Sequence, residues 1–404
     1  MKLLSTELVR GRFLKQVAVY QPRRRKPFSV HMTAPGWVPD PVSSDQFFLL
    51  GAAIAFVLAE DYSQDIPVSE TVFENFAKLQ TIWTGWYPNR RMIKTAAPSA
   101  PRDGPASTGT TDEACFFTAG VDSLFTVHQL QDAITALLHV VHVGDDEADI
   151  AAAFETLTAY QSFADLTGRK FIPVASNLMS AVPEFMDAWA YLSHGIAYAA
   201  AAHSLSGQLH KIHISSSMPA FAQMPWGSHP DTDRLFGSDT LEVNHYGTEW
   251  ERWDKTLTLA DDKRSLSIMN VCAHGHQEGA FSNCSTCQKC ARTMLMLDLA
   301  GVNRADAPSF DWSVYDMSRI SRLHLRSRNE VDSMHDVRNR AVRLGRDDIA
   351  SAVETMLRRS NRYLFLTEWE YFVRKRLGVA ARLKRPLKAM REGVYRLFRL
   401  RRTL

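Results

Sequence analysis

Residues 116–130 read FFTAGVDSLFTVHQL, and the reading of this stretch decides the fold. Apolar residues give way to a turn of small residues with one acid and one hydroxyl, Thr118-Ala119-Gly120-Val121-Asp122-Ser123. Helical spacing then takes over at Leu124, Val127 and Leu130. The stretch predicts a strand, a tight loop and a helix N-terminus. Such a junction turns backbone N–H groups and the positive end of a helix dipole toward one point, which favours bound phosphate. In a plainer reading, Asp122 or Ser123 merely caps the helix. The Walker pattern GxxxxGK[ST] does not occur in the chain.

Outward from the loop the pattern alternates. Cys115–Thr118, Leu137–Val143, Phe171–Val174 and Lys211–Ser215 read as strands, with helices over 122–135, 146–167 and 181–205 between them. Strands alternating with helices predict a doubly wound, mostly parallel α/β sheet, with ligands at the carboxyl ends of the strands near the Thr118–Ser123 loop. Within the third helix, Ser193-His194-Gly195 precedes an alanine run. His194 can face a nucleotide or substrate, or be a hydrogen-bonded core histidine. Ser215-Ser216-Ser217 brings three hydroxyls to a strand end, where a substrate loop is expected. The irregular, polar stretch 225–254 adds His229, Asp231 and Asp233 as candidate substrate or Mg²⁺ contacts.

Four of the five cysteines fall within 19 residues: Cys272, Cys284, Cys287 and Cys290. Thiolates separated by two intervening residues can ligate one ion from a single turn, and a fourth from a preceding strand end completes a tetrahedron, which favours Zn²⁺. The competing reading is an iron–sulfur cluster, whose C-x2-C-x2-C-x3-C run would need a cysteine where Met294 stands. His274 or His276 can also replace a thiolate. A closed four-cysteine site is structural, because it keeps no open position for water. Lys289 and Arg292 flank it and are either phosphate contacts or solvated cations. Cys115, the fifth, lies in the first strand of the alternation and is expected to be inert.

The loop resembles SGGxDS, the pyrophosphate-binding loop of the PP-loop superfamily (N-type ATP pyrophosphatases, or adenine nucleotide alpha hydrolases), departing from it at Thr118 and Ala119. Together with C-x(n)-C-x2-C-x2-C followed by an arginine, it resembles the 7-cyano-7-deazaguanine synthase branch over about Cys115–Gly301. The resemblance implies an adenine nucleotide alpha hydrolase-like fold that uses ATP, Mg²⁺ and a zinc held by four cysteines to adenylate a carboxylate, then resolves it with ammonia. Carried onto this chain, Thr118, Ala119, Gly120, Val121 and Ser123 hold pyrophosphate, Asp122 helps to place Mg²⁺, and Asp122 and Ser123 are the catalytic pair. His194 and Ser215 join the nucleotide-binding set, and Cys272, Cys284, Cys287 and Cys290 hold zinc. The N-terminal extension and altered loop point to a relative with another substrate, a small-molecule carboxylate.

The remaining residues set the bounds. A chain of 404 residues, 45% hydrophobic, supports a large core and several domains. They divide as a small N-terminal α+β unit (1–95), a Pro/Gly/Ser-rich linker (96–112), the ATP-binding domain with its cysteine site (113–301), a helical C-terminal extension (302–372) and a basic tail (373–404). The N-terminal unit shows a hairpin of QVAVY and FSVHM about the basic turn Arg23–Lys26, which is a phosphate contact or a solvated turn. Ser43, Ser44 or Asp45 is expected to cap the helix after it, and a second helix is expected over about 69–83. The linker, a plain connector or a flap over the nucleotide, ends shortly before the loop.

The longest apolar run, Phe47–Ala59, is 13 residues, short of a membrane span, and because MKLLSTELVRGRF has no apolar h-region it is not expected to be a secretion signal. A cytoplasmic protein is expected. Residues 374–402 carry twelve Lys or Arg and one acid; in a chain of net +3, this +11 tail leaves the rest at −8. Nucleic-acid binding by the body is therefore disfavoured, while the tail suits an anionic membrane surface, a nucleic acid or a docking partner. The expected activity is an ATP-dependent, AMP-forming ligase joining carbon to nitrogen. The alternatives are a tRNA- or nucleobase-modifying enzyme and a catalytically silent nucleotide-binding module in a membrane-associated assembly.

Overall fold

A computed structural model describes residues 1–100, 112–272, 282–325 and 327–376. Most of the linker, His274, His276 and most of the basic tail lie outside the described residues. Among the described residues, ten strands form one mostly parallel sheet: β1 (Lys2–Arg10), β2 (Phe13–Gln21), β3 (Phe28–Pro35), β4 (Tyr62–Ser63), β5 (Thr95–Ala96), β6 (Asp112–Phe116), β7 (Ala136–His142), β8 (Lys170–Ser176), β9 (Leu209–Ser215) and β10 (Glu242–Tyr246). Their order is β10-β9-β6-β7-β8-β3-β2-β1-β4-β5.

The five strands β6–β10 are parallel to one another. From β6 the chain winds outward through β7 and β8, then returns to the other side of β6 for β9 and β10. The order therefore reverses at β6, and the segment leaving its carboxyl end, Phe117–Gly120, lies at the switch point where α/β sheets bind ligands. The hairpin expected from QVAVY and FSVHM is β2–β3. It joins β8 through antiparallel pairs Met32–Ser176 and Thr33–Ala175, so the N-terminal strands extend the same sheet. Strand β1 escaped the sequence reading, because its side chains are nearly all exposed and show no alternation of apolar and polar positions.

The run Phe47–Ala59 contributes to a buried helix, Asp45–Leu58. Ser44 takes the cap position but makes no side-chain cap bond; the Asp45 carboxylate instead accepts from the Ser69 N–H at 2.8 Å. The second expected helix, Glu70–Trp86, is capped by Ser69. Two expected helices are broken. The one over 146–167 divides into Glu147–Glu155 and Thr158–Leu166. That over 181–205 becomes Leu178–Ala181, Pro183–Asp187, a π-helical turn Trp189–Ser193 and His194–His203. Pro183 supplies one break, since it sits at the first position of a new helix where no N–H is needed.

The chain forms two compact units, Met1–Thr118 with Asp122–Arg252, and Ala119–Val121 with Trp253–Leu404. The first contains the sheet; its core runs from Leu14 and Tyr20 through the Asp45–Leu58 helix to Ile196, Ala200 and Ile212. The second contains the cysteines and the helices Gln288–Leu299, Arg328–Arg343 and Asp347–Arg376, with Leu295, Met334, Val337, Val353 and Met356 in its core. No helix among the described residues is long and apolar enough to cross a membrane.

Candidate functional site

The loop after β6 is held by a ladder bond and side chains from neighbouring strands and helices. The Phe117 N–H donates to the Leu138 carbonyl at 2.8 Å, and the Phe117 carbonyl meets Nδ1 of His139 at 2.6 Å. Tyr160 donates its hydroxyl to the Thr118 carbonyl at 3.2 Å, and Ser123 Oγ accepts from the Thr118 N–H at 3.4 Å. Ala119 then turns the chain at φ 53°, a left-handed conformation that glycine adopts freely and alanine only at a cost. It is buried and stands where SGGxDS has its first glycine. Helix Val121–Gln129 begins two residues later, with Asp122 in its first turn.

Asp122 is not left to cap the helix. Its carboxylate accepts a hydrogen bond from the Arg252 guanidinium, in an ion pair about one-fifth exposed on each side. Sequence reading did not find Arg252; it lies 130 positions away, and no local pattern announces it. A guanidinium paired with an acid beside a small-residue turn can exchange that acid for phosphate, because both accept its forked donors.

The four cysteine sulfurs lie within 4.8 Å of one another, with 3.5 Å between Cys287 and Cys290 and 3.9 Å between Cys284 and Cys290. Four thiolates at a Zn–S distance of about 2.3 Å would stand about 3.8 Å apart, so the set fits a tetrahedral ion. Cys287 and Cys290 are buried and the other two partly so. The Cys290 thiol is pushed far above its ordinary range by its hydrogen bond with Cys287, by burial and by the charge of the other thiolates. A cation among the four sulfurs reverses that cost, which is the physical case for a metal here.

Asn283, a residue the sequence reading missed, ties the two ligand segments together. Its side chain accepts from Val271 N–H at 2.9 Å and donates to the carbonyls of Met269 at 2.7 Å and Ser309 at 3.1 Å. Just before Cys272, Asn270 donates its N–H to the Ala119 carbonyl at 2.8 Å. The cysteine segment thus holds the turn residue of the loop. Arg292 donates to Ser333 Oγ at 2.9 Å and so has a structural use on its helix.

The other candidates separate by environment. His194 is half-buried, with Nδ1 2.8 Å from the Trp189 carbonyl and its ring among Trp189, Tyr198 and Trp226; burial lowers its pKa. Ser215 ends β9 with Oγ 3.6 Å from the sulfur of buried Cys115, whose thiol burial pushes up to about 12, so it is protonated and inert at neutral pH. Among the described residues, neither His194 nor Ser215 forms a hydrogen bond with the loop. Of the 225–254 candidates, His229 caps a short helix by accepting from Asp231 N–H at 3.1 Å. Asp233 is fully buried and engaged by Ser228 Oγ at 2.6 Å, by the His229 N–H at 3.0 Å and by His245 Nδ1 at 2.7 Å. His245, at the carboxyl end of β10, was not singled out from sequence. The Asp233–His245 pair orients an imidazole whose Nε2 is buried and has no hydrogen-bond partner among the described residues.

No family model, curated protein or solved structure matches this chain.

Proposed function

We propose that the protein is an ATP-dependent, AMP-forming enzyme that adenylates a small carboxylate and resolves the adenylate with a nitrogen nucleophile. The observation that carries this reading is the left-handed turn at Ala119, leaving β6 at the switch point of the parallel sheet and leading into a helix that begins Val121-Asp122-Ser123. A reversed strand order, a glycine-type turn and a helix N-terminus suit pyrophosphate, the leaving group of adenylation. Likeness of TAGVDS to SGGxDS, and of the cysteine spacing to the 7-cyano-7-deazaguanine synthase branch of the PP-loop superfamily, supports the same reading.

In this account the substrate carboxylate attacks the α-phosphorus of ATP, and the bond to the β-phosphate oxygen breaks. Thr118–Ser123 hold the departing pyrophosphate through N–H groups and the Ser123 hydroxyl. Arg252 moves from Asp122 to the phosphates, freeing the carboxylate for Mg²⁺, which would neutralise phosphate charge. The nitrogen nucleophile then attacks the acyl carbon and expels AMP. Positioning and charge neutralisation supply the rate, and no protein nucleophile is needed. The four cysteines would hold a structural Zn²⁺ that fixes the Cys272 segment, and through Asn270 the Ala119 turn.

The test is to incubate the protein with ATP and Mg²⁺ over a panel of small carboxylates, with and without ammonia, and follow AMP and pyrophosphate. Carboxylate-dependent AMP and pyrophosphate are expected; ADP and phosphate, or binding without turnover, would sink the reading.

A further inference from the structure

The basic turn near the N-terminus borders a cleft. This cleft of about 820 Å³ opens beside β1, β4 and β5, lined by five basic side chains, Lys2, Arg23, Arg24, Arg91 and Lys94, and two acids, Glu60 and Asp61. The acids are already engaged. Glu60 accepts from Arg23 N–H at 2.8 Å and pairs with the Met1 amino group at 3.3 Å, and Asp61 accepts from Lys94 N–H at 2.9 Å.

Two of the five cations are engaged as well. Lys2 pairs with Asp65 at 2.9 Å, and Arg91 donates to the Ala59 carbonyl at the end of helix Asp45–Leu58. Arg90 donates to the Val57 carbonyl at 2.7 Å. Together they occupy the carbonyls whose partial negative charge would otherwise repel an anion here. In the turn itself, Arg25 donates to the Glu184 carboxylate from both terminal guanidinium nitrogens. The side chains of Arg23, Arg24 and Lys94 have no hydrogen bond or ion pair among the described residues, and all three are exposed on the cleft.

We propose that this cleft binds a soluble ligand carrying two or more phosphates. Two guanidinium forks and an ammonium that form no ion pair among the described residues match a multiply charged phosphate better than a lone carboxylate. The volume suits a molecule of nucleotide size. A lipid surface fits less well, because none of the exposed large apolar side chains among the described residues lines the cleft.

The experiment is calorimetric titration of the full chain with inorganic pyrophosphate at about physiological salt, in wild type, R23A/R24A and Arg252→Ala. Since Arg23 and Arg24 are exposed, their replacement leaves the fold intact, which a melting curve verifies. Binding that survives Arg252→Ala and weakens about a hundredfold in R23A/R24A is expected, with a smaller loss in R23K/R24K, where charge stays but the fork is gone. Binding unchanged in R23A/R24A, or no binding in Arg252→Ala, would overturn the proposal. So would retention of the chain only on vesicles containing phosphatidylglycerol, with no response to pyrophosphate.

Discussion

The Ala119 turn and the cysteine site differ in how each declares its ligand. The cysteine site is built of four side chains of one chemistry whose sulfurs converge within 4.8 Å, so the residues themselves name a soft, tetrahedral cation. The turn is built of backbone: a left-handed alanine, a helix start and an acid paired with Arg252. Backbone geometry selects an anion but not which anion. One region should therefore fail through its metal and stability, the other through turnover.

The largest expected effect is on the cysteine side. Cys287→Ala should abolish stoichiometric metal binding, measured by elemental analysis, and lower Tm by roughly 10 °C or more, because structural zinc contributes folding energy directly. An unchanged Tm would mean that the site is not structural.

Asp122→Ala should leave Tm within a few degrees of wild type. It should cut AMP formation about a thousandfold, as expected when a group stabilising transition-state charge is removed. A variant that unfolds would reduce Asp122 to a partner for Arg252 and erase the contrast between the two regions.

The third test lies at the end of β7, beside the strand from which the turn departs. Burial, reinforced by the charge of His139, lowers the His142 pKa from 6.5 to about 4, and neither ring nitrogen has a hydrogen-bond partner among the described residues. The unfolded chain takes up this proton first. The stability due to the neutral ring is full above about pH 6.5 and is lost as the pH falls toward 4, amounting to about 2–3 kcal/mol. Urea titrations from pH 7 to 4 should show that decline, and His142→Phe should flatten it.

The smallest effect belongs to the turn residue. Ala119→Gly should raise stability by about 1 kcal/mol by relieving the left-handed alanine, with turnover retained. A fall in activity with a rise in stability would show that the strain serves the reaction.

The same contrast explains what was legible in the sequence. The strand alternation from β6 to β9 rests on local periodicity, and the cysteines on residue type and spacing, so both can be read along the chain. Arg252 and Asn283 act through partners: the first lies 130 positions from Asp122, and the second ties residues 269–271 to Ser309. Neither leaves a periodic mark. The π-helical turn at Trp189–Ser193 was hidden for a related reason, since its small and aromatic residues also satisfy a straight helix. The left-handed turn at Ala119 was hidden because alanine gives no sign of a positive φ.

The claim that matters most is that this loop serves cleavage between the α- and β-phosphates of ATP by a carboxylate. With ¹⁸O in the carboxyl group of a turnover-supporting acid, mass spectrometry of the AMP formed reads it directly. Label in the AMP phosphate is predicted, because the attacking oxygen remains on phosphorus when nitrogen displaces the adenylate. Unlabelled AMP, or ADP in its place, would contradict the account.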